Sequence, residues 1–344
     1  MIFNSKDFKT VIENAKRFIN KGNAIRNGVW LKDNTAISTN LEIYYKEKLE
    51  DIGIDTGPNE PVFLNDEVIK KVLDYLKAFK KDAFQLTADD SNIFIDGVTA
   101  GKITVKSEEM PLTPCERKLE TESVKSKYSL SCEFLESLRT LFFNNSELKE
   151  SVKKGINENR NYAAFIKIMS NKAIWTDGHI LQEMPTNLPN NIDVLLPVDI
   201  FLKYKKFVGK FAISYYDNIF YGNKDITKVV QIKNETITIE YGLSSNVTYP
   251  DYNQIAGIIG SVGSDVAEYG KDILLKQAIL SKENTTKATK TTVNLRVPTK
   301  FNFDRINFVL SFFGDKVGIV SADENRYAPV VFKGERIFVL TPLR

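Results

Sequence analysis

The 344-residue chain contains one histidine and two cysteines. Cys115 and Cys132 are too few for a disulfide framework or a zinc site and fit a reducing cytoplasm. With a single histidine, a Ser-His-Asp relay could run only through His179, whose neighbours Thr176 and Asp177 sit on a tight turn, not on a strand-to-helix nucleophile elbow. No glycine-rich phosphate loop of the GxxxxGK[ST] or GxGxxG type occurs. No apolar run approaches the roughly 18 residues that cross a bilayer, and the N-terminal stretch MIFNSKDFKTVIENAKRF lacks the pattern of a secretory signal. Charge of one sign is scarce as well. Lysine and arginine number 47 against 44 acidic residues, a net charge of +3, below what a dedicated DNA-gripping face usually carries.

These absences weigh against an enzyme, a metalloprotein and a membrane protein, and no cofactor or metal is expected. Cys132 falls in the first turn of a core-forming helix, a poor place for a nucleophile paired with His179. Asp89-Asp90 reads as a hairpin tip between strands, not as a pair of metal ligands. What remains open is weak, sequence-independent contact with phosphates, provided the lysines gather on the right elements.

A 42% apolar and 26% charged composition describes a soluble globular chain with ample core, long enough for two or three domains. One pattern recurs along it: strand, helix, three strands. The first copy has Ile2-Phe3, a helix capped by Ser5 that carries Phe8, Val11, Ile12, Ala15, Phe18 and Ile19, then strands at 29–31, 35–39 and 41–45. The second has Pro61 to Leu64, a helix capped by Asn65 or Asp66 with Val68, Ile69, Val72, Leu73, Leu76 and Phe79 inside, and strands at 83–87, 92–95 and 102–105.

A polar stretch with two prolines, Ser107 to Ser126, reads as a linker. The third copy follows: Tyr128 to Leu130, a helix over 131–144, a charged insertion (ELKESVKKGINENR) and strands at 164–169, 172–175 and 180–183. The fourth has a strand at 192–196, a helix from Pro197 to Val208 with proline in its first turn, and strands at 210–215, 218–221, 228–232 and 236–241. After a second linker at Tyr249-Pro250-Asp251-Tyr252 come a helix over 271–281, a strand at 292–297, a helix from Thr299 to Phe313 and strands at 316–320, 328–332 and 336–340. The repeat of roughly 55 to 65 residues exceeds the solenoid range and suits domains each built from two halves.

The helices carry lysines opposite their apolar stripes. Lys6, Lys9, Lys16 and Arg17 belong to the first, Lys70, Lys77 and Lys81 to the second, Lys203 and Lys206 to the one after Pro197, and Lys276 to the one near residue 275. For any one helix a solvated face explains this. Repeated on several helices turned the same way, it would make a mildly positive surface that touches phosphates without reading bases.

Three motifs give the chain a family resemblance over essentially its whole length. Thr176-Asp177-Gly178-His179-Ile180-Leu181, Tyr249-Pro250-Asp251-Tyr252 and the closing Phe338-Val339-Leu340-Thr341-Pro342-Leu343-Arg344 resemble, in order and at family-like spacing, motifs of the bacterial replicative sliding clamps, the beta subunits of DNA polymerase III. The resemblance implies an α+β fold of three clamp domains, at residues 1–124, 125–252 and 253–344, with helices lining an inner face and sheets outside. It implies a homodimeric ring around double-stranded DNA, held without sequence specificity, and a hydrophobic cleft where a DNA polymerase and a clamp loader insert a short linear peptide.

Carried over by position, the cleft would use Thr176, Gly178, His179, Ile180, Leu181, Pro250, Gln254, Ile255, Val339, Thr341, Pro342 and Leu343. Ile279 and Leu280 would lie at the subunit interface. The sequence departs from the family at Ile180, where an arginine is usual, and at Asn253 and Gln254, where basic residues follow the linker. The last domain is short and lacks a pair of strands after its first helix, as in a divergent clamp of phage or mobile-element type. That shortening leaves a second reading: a clamp-like, non-ring-forming module that binds peptides or acts as a decoy.

Overall fold

The computed structural model describes residues 2–19, 21–22, 27–49, 60–113, 115–116, 126–143, 149–150, 152–153, 160–169, 172–186, 188, 192–204, 206–217, 220–221, 224–244, 247, 249–251, 266–284, 289–321 and 326–343. Most of the charged insertion, residues 117–125 of the first linker, and Gln254 and Ile255 lie outside this set. The chain forms two compact units: residues 1–139 with 203–245, and residues 140–202 with 246–344.

The elements fall into six consecutive groups. The first is β1 (Ile2–Asn4), α1 (Ser5–Ala15), β2 (Gly28–Lys32), β3 (Thr35–Thr39) and β4 (Ile43–Lys48); the second is β5 (Val62–Asn65), α2 (Asp66–Phe79), β6 (Ala83–Ala88), β7 (Asn92–Ile95) and β8 (Val98–Lys102). The third is β9 (Ser126–Leu130), α3 (Cys132–Phe143), β10 (Phe165–Met169), β11 (Lys172–Thr176) and β12 (Ile180–Pro185). The fourth is β13 (Asp193–Pro197), α4 (Val198–Lys203), β14 (Phe211–Asp217), the short β15 (Phe220–Tyr221), β16 (Lys224–Lys233) and β17 (Ile237–Ser244). The fifth is β18 (Ala267–Gly270), α5 (Lys271–Leu280), β19 (Glu283–Asn284) and β20 (Thr289–Asn294). The sixth is β21 (Pro298–Asn302), α6 (Phe303–Leu310), β22 (Lys316–Val320), β23 (Val330–Lys333) and β24 (Ile337–Leu340).

The junction from strand to helix is built alike in several groups. Asn4 Oδ1 accepts from the N–H groups of Lys6 and Asp7, Asn65 Oδ1 from Val68, and Asn302 Oδ1 from Arg305. Asparagine thus takes up N–H groups that the first turn leaves without helical partners. The cap expected at Ser5 is one residue earlier, because Asn4 has the extended backbone a cap needs and Ser5 is already helical.

Strand pairing follows one rule. The leading strand of each group joins the sheet of the neighbouring group, giving β5-β2-β3-β4, β1-β6-β7-β8, β9-β14-β16-β17, β13-β10-β11-β12, β18-β22-β23-β24 and β19-β20-β21. Within the first unit, β4 pairs with β17 from Ile43↔Tyr241 to Glu47↔Ile237 and fuses two of these sheets. Within the second, β12 pairs with β24 from Ile180↔Leu340 to Glu183↔Ile337 and fuses two more.

The helices pack their apolar stripes on the sheets. Phe8, Val11, Ile12 and Ala15 of α1 are buried, and Phe8 meets Phe84 edge-on at 4.9 Å. Gly28 has no room for a side chain, since a Cβ there would lie 2.3 Å from the Leu64 carbonyl oxygen. In the second unit, Phe308 stands edge-on to Phe338 at 6.0 Å.

Several expectations shift. The strand expected at Lys102 to Val105 is β8, because Asp96 and Gly97 both take positive φ and reverse the chain in two residues. The helix expected from Pro197 to Val208 stops at Lys203, and Tyr204 and Phe207 are buried beyond it, the Phe207 N–H meeting Glu136. The helix expected from Thr299 to Phe313 is β21 followed by α6. Thr299 and Phe301 alternate buried with exposed Pro298 and Lys300, the period of a strand. Phe79, expected inside, is 61% exposed. The strand expected at 292–297 is β20, shifted to Thr289–Asn294, and the fifth group adds to it one strand that was not expected, the two-residue β19, among its described residues.

Candidate functional site

The turn between β11 and β12 organises one candidate site. Asp177 lies 2% exposed beneath it, and its Oδ1 accepts from the N–H groups of His179 and Ile180, both at 2.8 Å. Gly178 N–H donates to Thr176 Oγ1 at 3.1 Å. Gly178 takes φ +86°, which favours glycine, and a Cβ there would lie 2.9 Å from Arg160 Nη1. Arg160 donates to the Asp177 carbonyl oxygen at 2.6 Å, and Arg305 Nη2 stands 4.0 Å from Asp177 Oδ2.

The C-terminal segment closes on this turn. The Thr341 N–H and hydroxyl donate to the His179 carbonyl oxygen, and the Leu343 N–H donates to the Lys300 carbonyl oxygen at 2.8 Å. Leu181 stands opposite Val339 in the β12–β24 ladder. With Ile174, Val320 and Val331 they form a buried apolar cluster, with Met169 and Ile337 packed against it. Beside Pro250, the Tyr249 hydroxyl donates to the Ile174 carbonyl oxygen at 2.9 Å, and its ring meets Tyr162 edge-on. Thr341, Pro342, Leu343 and Pro250 are half-buried.

Ile180 stands apart from the others. Strand alternation turns it to the face opposite Leu181, where it is 2% exposed and in register with fully buried Leu340. The position that departs from the family is therefore packed inside. Half-buried His179 is held below the usual imidazole range by desolvation first and then by Arg305, with Asp177 pulling the other way. Arg160 and Arg305 escaped the sequence reading, since neither is near the turn in the chain and neither belongs to a motif.

Among the lysines, Lys6, Lys9, Lys70, Lys77, Lys81, Lys206 and Lys276 are exposed, whereas Lys16, Arg17 and Lys203 are half-buried. Lys16 pairs with Asp66 at 2.6 Å, Lys81 with Asp96 at 2.6 Å, and Arg17 donates to the Lys203 carbonyl oxygen. On α5, Ile279 and Leu280 are 61% and 82% exposed. Among the described residues no group of three or more His, Cys, Asp or Glu side chains is placed to hold a metal ion, and no helix is long and apolar enough to cross a membrane.

Neither family models nor curated protein sequences match the chain. Solved structures do. A DnaN sliding clamp (DNA polymerase III subunit beta) from Bartonella birtlesii bound to griselimycin superposes with a TM-score of 0.71 at 14% identity, covering 100% of this chain and 99% of that one. The DNA polymerase III subunit beta from Pseudomonas aeruginosa gives 0.69 at 14% over the same shares. The Helicobacter pylori beta clamp bound to a DNA ligase peptide gives 0.66 at 13%, again over 100% and 99%. The chain has the fold of the DNA polymerase III beta-subunit sliding clamps from end to end.

Proposed function

We propose that the protein is a DNA sliding clamp: a homodimeric ring of two three-domain chains (residues 1–124, 125–252 and 253–344) that encircles duplex DNA. It acts without catalysis and tethers a DNA polymerase through the cleft at the Asp177 turn. The observation that carries this reading is the strand-pairing rule. Two seams, β4–β17 and β12–β24, join sheets within the chain, while among the described residues β8 pairs only with β7 and β19 only with β20. A head-to-tail contact between those two different edges is a heterologous interface, which closes into a ring when the rotation allows.

Side chains near both edges favour such a contact. Val98 on β8 is 57% exposed, and Phe79, on the α2 helix that packs against β8, is 61% exposed. Ile279 and Leu280 end the helix that leads into β19, and Ile273 on the same helix is 61% exposed. Isolated, these residues would be costly apolar patches; covered by a second copy they form an interface core. Lys6, Lys9, Lys70, Lys77, Lys81, Lys206 and Lys276, with the half-buried Lys16, Arg17 and Lys203, would face DNA phosphates.

The cleft would consist of Thr176, Gly178, His179, Leu181, Val339, Thr341, Pro342, Leu343 and Pro250 over the apolar cluster, with Ile180 beneath and Gln254 and Ile255 contributed by the linker. Two neighbours of the same fold, the Helicobacter pylori and Bartonella birtlesii clamps, are bound to a DNA ligase peptide and to griselimycin, which supports binding of a peptide from a polymerase or clamp loader here. Holding a polymerase by a tether raises its local concentration at the primer end.

The short fifth group favours a second reading, a module of clamp fold that stays a monomer and only binds peptides. Sedimentation of the wild type and of Ile279→Asp/Leu280→Asp separates the two. A dimer that the double substitution converts to a folded monomer supports the ring. A wild-type monomer at micromolar concentration supports the second reading.

A further inference from the structure

A cavity of about 420 Å³ opens between the start of α1 and the last turns of α2. Leu73 and Leu76 form its apolar floor, and five lysines line it: Lys6 and Lys9 from α1, Lys77 from α2, and Lys80 and Lys81 from the turn after α2. The only carboxylate in the lining belongs to Asp82. Lys81 is held by Asp96. Lys6, Lys9, Lys77 and Lys80 have no carboxylate partner among the described residues.

In a chain whose net charge is only +3, such crowding of one sign is local and raises the potential that draws anions to the groove. The α3 helix does not repeat it, setting Glu133 and Glu136 against Arg139. Lys80 adds an independent sign. It takes the left-handed backbone, φ 47° and ψ 36°, at a helix end where glycine is the usual residue. The strained position brings a fifth ammonium group to the rim where glycine would bring none.

The lining also defines the ligand. Lysines act as point charges for phosphate oxygens and read no base edges. No arginine lines the cavity, and Asn4 Oδ1 is already engaged as the α1 cap. The volume suits a small molecule or a few backbone units of a strand. We propose that this groove is a discrete phosphate site that takes two or three phosphate groups in series, with Leu73 and Leu76 beneath the intervening sugar or base. The phosphates come either from consecutive phosphodiesters of a DNA strand or from a free polyphosphate. The DNA source rests on the sliding-clamp reading; the polyphosphate source does not.

The test uses the full chain with inorganic tripolyphosphate and a short blunt duplex as separate probes. Three proteins are compared: wild type, Lys6→Gln/Lys9→Gln/Lys77→Gln/Lys80→Gln, and a comparator with four other exposed lysines replaced, Lys48→Gln/Lys106→Gln/Lys233→Gln/Lys316→Gln. Unchanged thermal unfolding establishes that each is folded. The groove variant should lose about tenfold or more in tripolyphosphate affinity, or show a log K against log salt slope for duplex shallower by about 2 to 3, near 0.9 for each of the two or three lost phosphate contacts. The comparator should keep both within about twofold. Loss of the first quantity alone assigns a free polyphosphate, loss of the second alone a DNA strand, and either supports the site. Equal losses in both variants, or no loss in the groove variant, overturn it. A wild-type monomer that still binds tripolyphosphate through the groove would sink the clamp reading and leave the site standing.

Discussion

Thr341 donates twice to one acceptor, the carbonyl oxygen of His179, from its backbone N–H at 3.1 Å and from its hydroxyl at 3.2 Å. The two residues are 162 positions apart in the chain. This pair of hydrogen bonds fixes the end of the chain against the Asp177 turn, so Leu181 and Val339 and the tail of Pro342 and Leu343 share one reference.

Thr341→Val keeps the shape and the backbone bond but removes the hydroxyl. A net hydrogen bond is worth about 0.5–1.5 kcal/mol, so stability should fall by no more than that, and peptide affinity by at most about two- to tenfold. Deleting residues 341–344 should abolish peptide binding while circular dichroism remains native. Fluorescence anisotropy with a labelled clamp-binding peptide measures both; full affinity in the deletion would remove the tail from the site.

The single histidine makes the turn directly observable, because its imidazole signals need no assignment. Burial and the Arg305 guanidinium hold His179 below its usual range, so it is neutral at pH 7 and the folded state resists its protonation. Stability is therefore lost as pH falls through the ordinary imidazole range. Arg305→Gln should raise the His179 pKa toward the unperturbed value near 6.5. An NMR titration that showed no rise would mean burial alone sets the value.

Glu47 offers a second pH signature. It is 8% exposed on β4, where it accepts from the Tyr45 hydroxyl and from Asn14 Nδ2 at 3.3 Å. Burial raises its pKa, and the two hydrogen bonds offset this only in part. The folded state thus prefers the protonated acid. Its contribution is present below the ordinary carboxylate range and is lost as pH rises through the elevated value. Glu47→Gln, which keeps an accepting carbonyl without the charge, should be as stable as wild type or more so at pH 7. That advantage should shrink as pH falls toward 4 in paired urea titrations. An advantage that grew on acidification would contradict the assignment.

The sequence shows local order well and distant partnership poorly. In α2, Val68, Ile69, Val72 and Leu76 are buried as their spacing requires. Leu73 is half-buried, and Phe79 is exposed with its ring tilted against Tyr75 at the helix end, where periodicity alone does not say whether a core lies alongside. Strands were legible at 41–45 and 236–241, but the sequence contains nothing about Glu47 standing opposite Ile237, nor that Leu41 is exposed and β4 starts at Ile43. Likewise, the apolar residues around Thr299 and Phe301 fit either period until Asn302 is seen to cap α6. The turn at Thr176 to Leu181 was legible because its residues are contiguous. Arg160 and Arg305, which hold the turn from two other elements, were not. The α1–α2 groove was half legible: its lysines stood out one helix at a time, whereas their convergence required the fold.

The central claim is topological encirclement. It is tested most directly by retention on DNA of two shapes: the protein is loaded onto nicked circular plasmid by its cognate loader, and half the sample is then linearised by a single-cutting enzyme. Gel filtration in high salt measures what remains bound. The account predicts protein co-eluting with the circle and lost from the linear form, because a ring slides off free ends whatever the ionic strength. Equal loss from both, or equal retention on both, would contradict it.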